Sequence, residues 1–112
     1  MIGIIDYGVG NLQSVKNSLD FLNIPNKIIT KPDKINTCEK IILPGVGAFG
    51  VAIDKLSSLG FAKKIQEFAK KKKPILGICL GMQLLFDESA EHGSHKGLGL
   101  IKGKVLAFSK KV

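Results

Sequence analysis

Four short apolar runs, separated by stretches of helical periodicity, constrain this chain more than any other feature. Ile2-Gly3-Ile4-Ile5, Lys27-Ile28-Ile29-Thr30, Lys40-Ile41-Ile42-Leu43 and Pro74-Ile75-Leu76-Gly77-Ile78 are short and stop at turn-forming residues. That pattern suits strands buried on both faces. Between them, Leu12, Val15, Leu19 and Leu22 recur at helical spacing, so residues 12 to 22 read as a helix, ended by Pro25. Pro32-Asp33 marks a loop. Residues 51 to 58 suit a short helix, and Phe61, Ile65 and Phe68 stripe a second one over 61 to 72. Leu80 to Phe86 has helical character, polar and glycine-dotted Asp87 to Gly99 reads as loop, and Lys104 to Phe108 is a last candidate strand. Short apolar strands joined by helices imply an α/β fold: a doubly wound, mostly parallel sheet with helices on both faces. With 112 residues and neither an internal repeat nor a linker, the chain has material for one domain.

Composition narrows the classes of function. The chain is 45% hydrophobic, enough for a core, yet its apolar runs are too short to span a bilayer. Met1-Ile2-Gly3-Ile4-Ile5-Asp6 has no basic region before its apolar stretch, so the expectation is no signal peptide, no membrane and a cytoplasmic location. Cys38 and Cys79 make no disulfide framework and read as free thiols. The net charge is +8, but all 17 basic residues are lysine. A nucleic-acid reader would use arginine for bidentate contacts, so the basic excess reads as a solvated surface and not as a nucleic-acid interface. Lys70-Lys71-Lys72-Lys73 falls where a helix ends, where cations complement the helix dipole.

Three glycine-bearing segments follow strands: Tyr7 to Gly10, Gly45 to Gly50 and Gly77 to Gly81. Functional groups in such folds collect at the carboxyl ends of strands. Gly77-Ile78-Cys79-Leu80-Gly81 has a small residue two before and two after a potential nucleophile, between a strand and a helix. The turn this implies is too tight for side chains at the flanks. It sets the thiol at a helix start, where the dipole favours thiolate and backbone N–H groups can hold an oxyanion. The competing reading is a buried cysteine between two packing glycines. Pro44-Gly45-Val46-Gly47-Ala48-Phe49-Gly50 lets the main chain approach a ligand closely. It lacks the lysine and hydroxyl of a phosphate loop; it suits a second oxyanion donor beside Cys79, and equally a plain strand-to-helix turn. Asp6-Tyr7-Gly8-Val9-Gly10 lacks the third glycine of a dinucleotide site, so no cofactor is expected. His92 and His95 have no cysteine partners at ligand spacing, so no metal is expected and both read as solvated. Asp87, Glu88 and Glu91 read as surface charge on the same grounds, and Cys38, without flanking glycines, reads as structural.

Asp6-Tyr7-Gly8-Val9-Gly10-Asn11-Leu12, Leu43-Pro44-Gly45-Val46-Gly47-Ala48-Phe49-Gly50 and Gly77-Ile78-Cys79-Leu80-Gly81-Met82-Gln83-Leu84-Leu85-Phe86 together resemble the class I glutamine amidotransferases. Within that class the Asp-Tyr-Gly opening is similar to the glutaminase subunits of imidazole glycerol phosphate synthase, which serve histidine biosynthesis. The resemblance runs along the whole chain, through Gly97-Leu98-Gly99-Leu100-Ile101. It implies a flavodoxin-like doubly wound sheet, incomplete over 1 to 112 relative to the family's domain. Cys79 would be the catalytic nucleophile attacking the side-chain amide of glutamine, with the oxyanion held by the Leu80 N–H and by one from the Gly45–Gly47 turn, at Val46 or Gly47. Gly47 and Gln83 match substrate-contacting positions, and Glu91 matches more loosely. Asn11 would lie toward the partner, the cyclase subunit HisF, a (β/α)8 barrel that consumes the ammonia.

One departure stands out. The family's triad adds a histidine base and a glutamate that orients it, both beyond the last strand found here. The sequence ends at Lys110-Lys111-Val112, where the family would continue into a Pro-His-x-Gly-Trp stretch. His92 and His95 fall in a different loop and do not inherit the base's role. A thiol without its base is a poor nucleophile. The expectation is a fragment of a longer enzyme or a truncated, non-catalytic module that docks to a synthase subunit. In either case the missing part would leave apolar faces of the sheet open.

Overall fold

The computed structural model describes residues 1–108; Lys110-Lys111-Val112, named above, lie outside the described residues. Four parallel strands, β1 (Ile2–Ile5), β2 (Asn26–Ile29), β3 (Lys40–Leu43) and β4 (Ile75–Gly77), form a sheet in the order β2-β1-β3-β4. Helix α1 (Leu12–Phe21) joins β1 to β2, while α2 (Phe49–Ser58) and α3 (Phe61–Lys70) join β3 to β4. This is the order of a flavodoxin-like doubly wound sheet, with its switch point between β1 and β3. The sharp corner between α2 and α3 is made by Gly60, whose φ of 85° belongs to the left-handed region that glycine enters without a steric cost.

Register explains which residues build the core. Ile5 pairs with Ile29, and Ile41 with Ile75, on the face that carries α2 and α3. There Ile5, Ile29, Ile41 and Leu43 meet Phe49, Leu56, Phe61, Ile65 and Phe68, all buried. Each such side chain contributes ~1.5–3 kcal/mol by leaving water. The opposite face carries the alternate row Ile28, Ile4, Ile42 and Leu76. Helix α1 packs against β1 and β2 and covers the first part of that row. Ile4 and Ile42 are buried, but Leu76 at the β4 edge is 57% exposed. The apolar row therefore outruns its cover at Leu76.

Cys38 is buried, with its sulfur against Gly3 of β1, as a structural cysteine would be. Pro32–Thr37 is a 3-10 helix, not the expected loop, with proline in its first turn and Ile35 buried beneath it. The larger corrections concern the end of the chain. The helix expected to run to Phe86 stops after one turn, as α4 (Leu80–Gln83). Phe86–Ser89 is instead a strand, β5, and the expected loop to Gly99 also contains β6 (His95–Lys96). The last strand, β7, is Ile101–Val105, earlier than Lys104–Phe108. These form a second sheet in the order β6-β5-β7, antiparallel in its first pair and parallel in its second. Long-range backbone bonds decide the matter. The Leu98 N–H donates to the Leu84 carbonyl at 2.8 Å, and the Leu100 and Ile101 N–H groups donate to that of Leu85 at 2.8 and 2.9 Å. The carbonyls that would have continued the helix are satisfied by a returning segment.

Candidate active site

Only Ile78 and Cys79 separate β4 from α4. To reverse direction in that space, Cys79 adopts φ 55° and ψ −122°, a region that residues with a side chain rarely enter. The flanking glycines are obligatory for a visible reason. A Cβ on Gly77 would lie 2.5 Å from the Met82 Cα and 2.7 Å from its nitrogen, and one on Gly81 would overlap the Leu43 carbonyl oxygen. The turn is closed by Ile78 N–H to Leu43 O at 3.0 Å, Gly81 N–H to Ile78 O at 2.9 Å and Met82 N–H to Cys79 O at 3.0 Å. The result is an exposed thiol on a turn with no slack. With α4 reduced to one turn, the helix dipole beneath Cys79 is weaker than a helix to Phe86 would have made it.

The glycine turn after β3 packs directly on this elbow. Gly45 is buried, and a Cβ there would lie 2.6 Å from the Tyr7 hydroxyl oxygen and 3.0 Å from the Gly81 nitrogen. The Tyr7 O–H donates to the Pro44 carbonyl at 2.7 Å, across a separation of 37 residues. From the neighbouring strand end, Gly10, with φ 124°, comes close to the same peptide: its Cβ would sit 3.3 Å from the Pro44 carbonyl carbon. Ends of β1, β3 and β4 thus converge on one spot. Burial pushes the Tyr7 phenol well above its ordinary pKa, so it remains a protonated donor throughout the neutral range.

The backbone donors are arranged less simply than the sequence suggests. The Leu80 N–H donates to the Gly45 carbonyl at 3.1 Å, so in this conformation it is taken. Because a trans peptide is planar with N–H and C=O opposed, the Val46 N–H points away from Leu80. Val46 and Gly47 are exposed, and Gly47, at φ 102°, has no heavy atom within 4 Å of where its Cβ would be.

The other expected site residues are more dispersed. Gln83 is half-buried on α4, its N–H donating to the Cys79 carbonyl at 3.3 Å. Glu91 is half-buried in the turn after β5, its N–H donating to the buried Ser89 hydroxyl at 3.1 Å. Asn11 caps α1, its side-chain oxygen accepting the Ser14 N–H at 3.2 Å, and is exposed. His92 is exposed, whereas His95, expected to be solvated, is half-buried with its ring against Gly50: a Cβ there would lie 2.6 Å from the ring. The sequence carried no sign of the Tyr7 or His95 contacts, since each joins segments distant along the chain.

Comparison with known proteins bears on the family and the fold. The sequence pattern of the family described as glutamine amidotransferase class-I matches residues 3–111. The chain is 56% identical over 108 residues to imidazole glycerol phosphate synthase subunit HisH of Sulfurimonas denitrificans, covering 96% of this chain and 52% of that protein. It is 51% identical to the protein of the same name from Chlorobium luteolum, covering 96% and 54%, and 53% identical to that of Bacillus licheniformis, covering 95% and 50%. The chain spans about half the length of the curated relatives it matches. Among solved structures, a glutamine amidotransferase superposes with a TM-score of 0.80 at 20% identity, covering 94% of this chain and 55% of that one. A putative peptidase E from Listeria monocytogenes superposes at 0.72 and 14% identity, covering 89% and 62%. At those identities the two structures speak for the fold alone, and that fold is the doubly wound sheet expected from the apolar runs. By its matched sequence and its fold, the chain belongs to the class-I glutamine amidotransferases.

Proposed function

We propose that this chain carries the nucleophile portion of a glutaminase subunit of imidazole glycerol phosphate synthase, acting in histidine biosynthesis in the cytoplasm. The observation that carries the reading is the exposed Cys79 thiol on a backbone of φ 55°, between two glycines with no room for a side chain. The name borne by relatives at 51–56% identity supplies the pathway.

In this reading the Cys79 sulfur attacks the side-chain carboxamide carbon of glutamine. The C–N bond breaks, the nitrogen leaves as ammonia after taking a proton, and a glutamyl thioester remains, which water cleaves to glutamate and the free thiol. Gly47, Gln83 and Glu91 hold the substrate. The base and its orienting acid would come from the part of the relatives' length that this chain does not span, so the chain alone is expected to be inactive. The oxyanion needs the Leu80 N–H, which now faces the Gly45 carbonyl. Rotation of the Gly45–Val46 peptide would free that donor and turn the Val46 N–H inward in one movement. The ammonia would pass to the cyclase subunit HisF, with Asn11 toward that partner.

A glutamine-analogue affinity label, applied to the full-length protein with its synthase subunit, tests the reading: it modifies Cys79, spares Cys38, and fails on Cys79→Ala. Labelling of Cys38 instead would overturn the assignment. The occupied Leu80 N–H favours one alternative, a non-catalytic module docked on a synthase subunit. The coding sequence beyond codon 112, with ammonia release from glutamine assayed on the full-length product with the synthase subunit present, separates the two. A downstream histidine and glutamate two apart, with release above the Cys79→Ala background, support the glutaminase; a stop codon and no release support the module.

A further inference from the structure

We propose that Tyr7 is the positioning residue of the oxyanion turn: its hydroxyl pins the Pro44–Gly45 peptide so that only the Gly45–Val46 peptide is left to turn. The inference rests on the glutaminase reading for its purpose, but its geometry stands apart from it. Tyr7 is 1% exposed, and the role given to Cys79 makes no chemical use of its phenol. Its O–H meets the Pro44 carbonyl at 2.7 Å, just beyond the end of β3. Pro44 and Gly45 are both buried, so that carbonyl has no water to fall back on.

The two successive peptides differ sharply in what holds them. Pro44–Gly45 is clamped by the Tyr7 hydroxyl on one side and approached by Gly10 on another, and the Gly81 nitrogen leaves no space for a Cβ at Gly45. Gly45–Val46 is held through its carbonyl by the Leu80 N–H at 3.1 Å, while Val46 and Gly47 are open to solvent. A hydroxyl one peptide upstream of a mobile unit turns a flexible glycine stretch into a single hinge. A phenol with the ordinary pKa of 10.0 is protonated across the neutral range, and burial pushes this one higher still, so the clamp does not loosen there. Removing the hydroxyl leaves a buried carbonyl unpaired, and the turn relaxes toward any other donor or water it can reach.

Tyr7→Phe keeps the ring and deletes the clamp. Amide hydrogen exchange followed by NMR reads the result without any need for turnover. Protection of the Leu80 N–H is expected to fall about tenfold more than that of the Ile65 N–H in α3. A fall in step with Ile65 means that the hydroxyl serves global stability alone, and unchanged protection means that it pins nothing; either overturns the proposal. A second arm ties the clamp to chemistry. A chloromethyl ketone analogue of glutamine reacts through an oxyanion, whereas iodoacetamide does not. In Tyr7→Phe the maximal labelling rate with the ketone should fall about tenfold at unchanged half-saturation, with iodoacetamide alkylation of Cys79 unaltered. An equal loss with both reagents overturns the positioning role. If the ketone fails on wild-type full-length protein that carries the base, with its synthase subunit present, the glutaminase reading falls while the exchange result still decides Tyr7.

Discussion

The two glycine turns that meet at Cys79 are built from similar residues and behave as opposites. In Gly77–Gly81 each terminal glycine is wedged: one against Met82, the other against the Leu43 carbonyl. In Gly45–Gly47 the first glycine is wedged and the last stands in open space. One turn holds a thiol in a costly conformation by leaving it no alternative. The other is fixed at its base and loose at its tip. Glycine therefore serves two purposes in one site, to admit close packing and to permit rotation, and local sequence does not tell them apart.

Substitutions can break the contrast, beginning with the strongest. Gly81→Ala places a methyl group on the Leu43 carbonyl, and moving a central strand to accommodate it should cost more than ~3 kcal/mol or prevent folding, read as a lowered denaturant midpoint. Tyr7→Phe should lower stability by ~1–3 kcal/mol at pH 7 through the unpaired Pro44 carbonyl. Its pH dependence adds a sign. The unfolded chain's tyrosine ionises near its ordinary pKa of 10.0, while the folded phenol is held above that value. Above that point the folded state binds more protons than the unfolded one, so this contribution is complete below pH 10.0 and is lost as pH rises beyond it. Wild-type protein should then lose its advantage over Tyr7→Phe on the alkaline side, visible in unfolding curves taken at stepped pH. Gly47→Ala meets nothing, so only its φ of 102° resists, and a loss of ~1 kcal/mol is expected in the same unfolding assay. Cys79→Gly should move the other way, raising stability by up to ~1 kcal/mol as the strain at φ 55° is relieved, while abolishing labelling. Equal costs at Gly81 and Gly47 would erase the distinction between the turns.

Much of this architecture was legible in the linear chain. Strand β3 falls on the expected residues and β2 within one of them, because short apolar runs between turn signals leave little freedom of interpretation. The cysteine between paired glycines was equally plain, since its conformation depends on neighbours only a few positions away. Leu84 to Val105 was not legible. Leu84, Leu85 and Phe86 extend the helical pattern, yet their carbonyls accept bonds from Leu98, Leu100, Ile101 and Gly99. Local propensity lost to pairing with a segment more than ten residues away.

By itself, then, the sequence determined a parallel α/β sheet and a tight elbow carrying Cys79, because both depend on patterns a few residues long. The tertiary structure alone decided that the Leu80 N–H faces Gly45 and that the Tyr7 hydroxyl reaches Pro44. Those bonds exist only because neighbouring strands bring their carboxyl ends together. A backbone N–H has the same chemistry at every position; which carbonyl it meets is settled by packing.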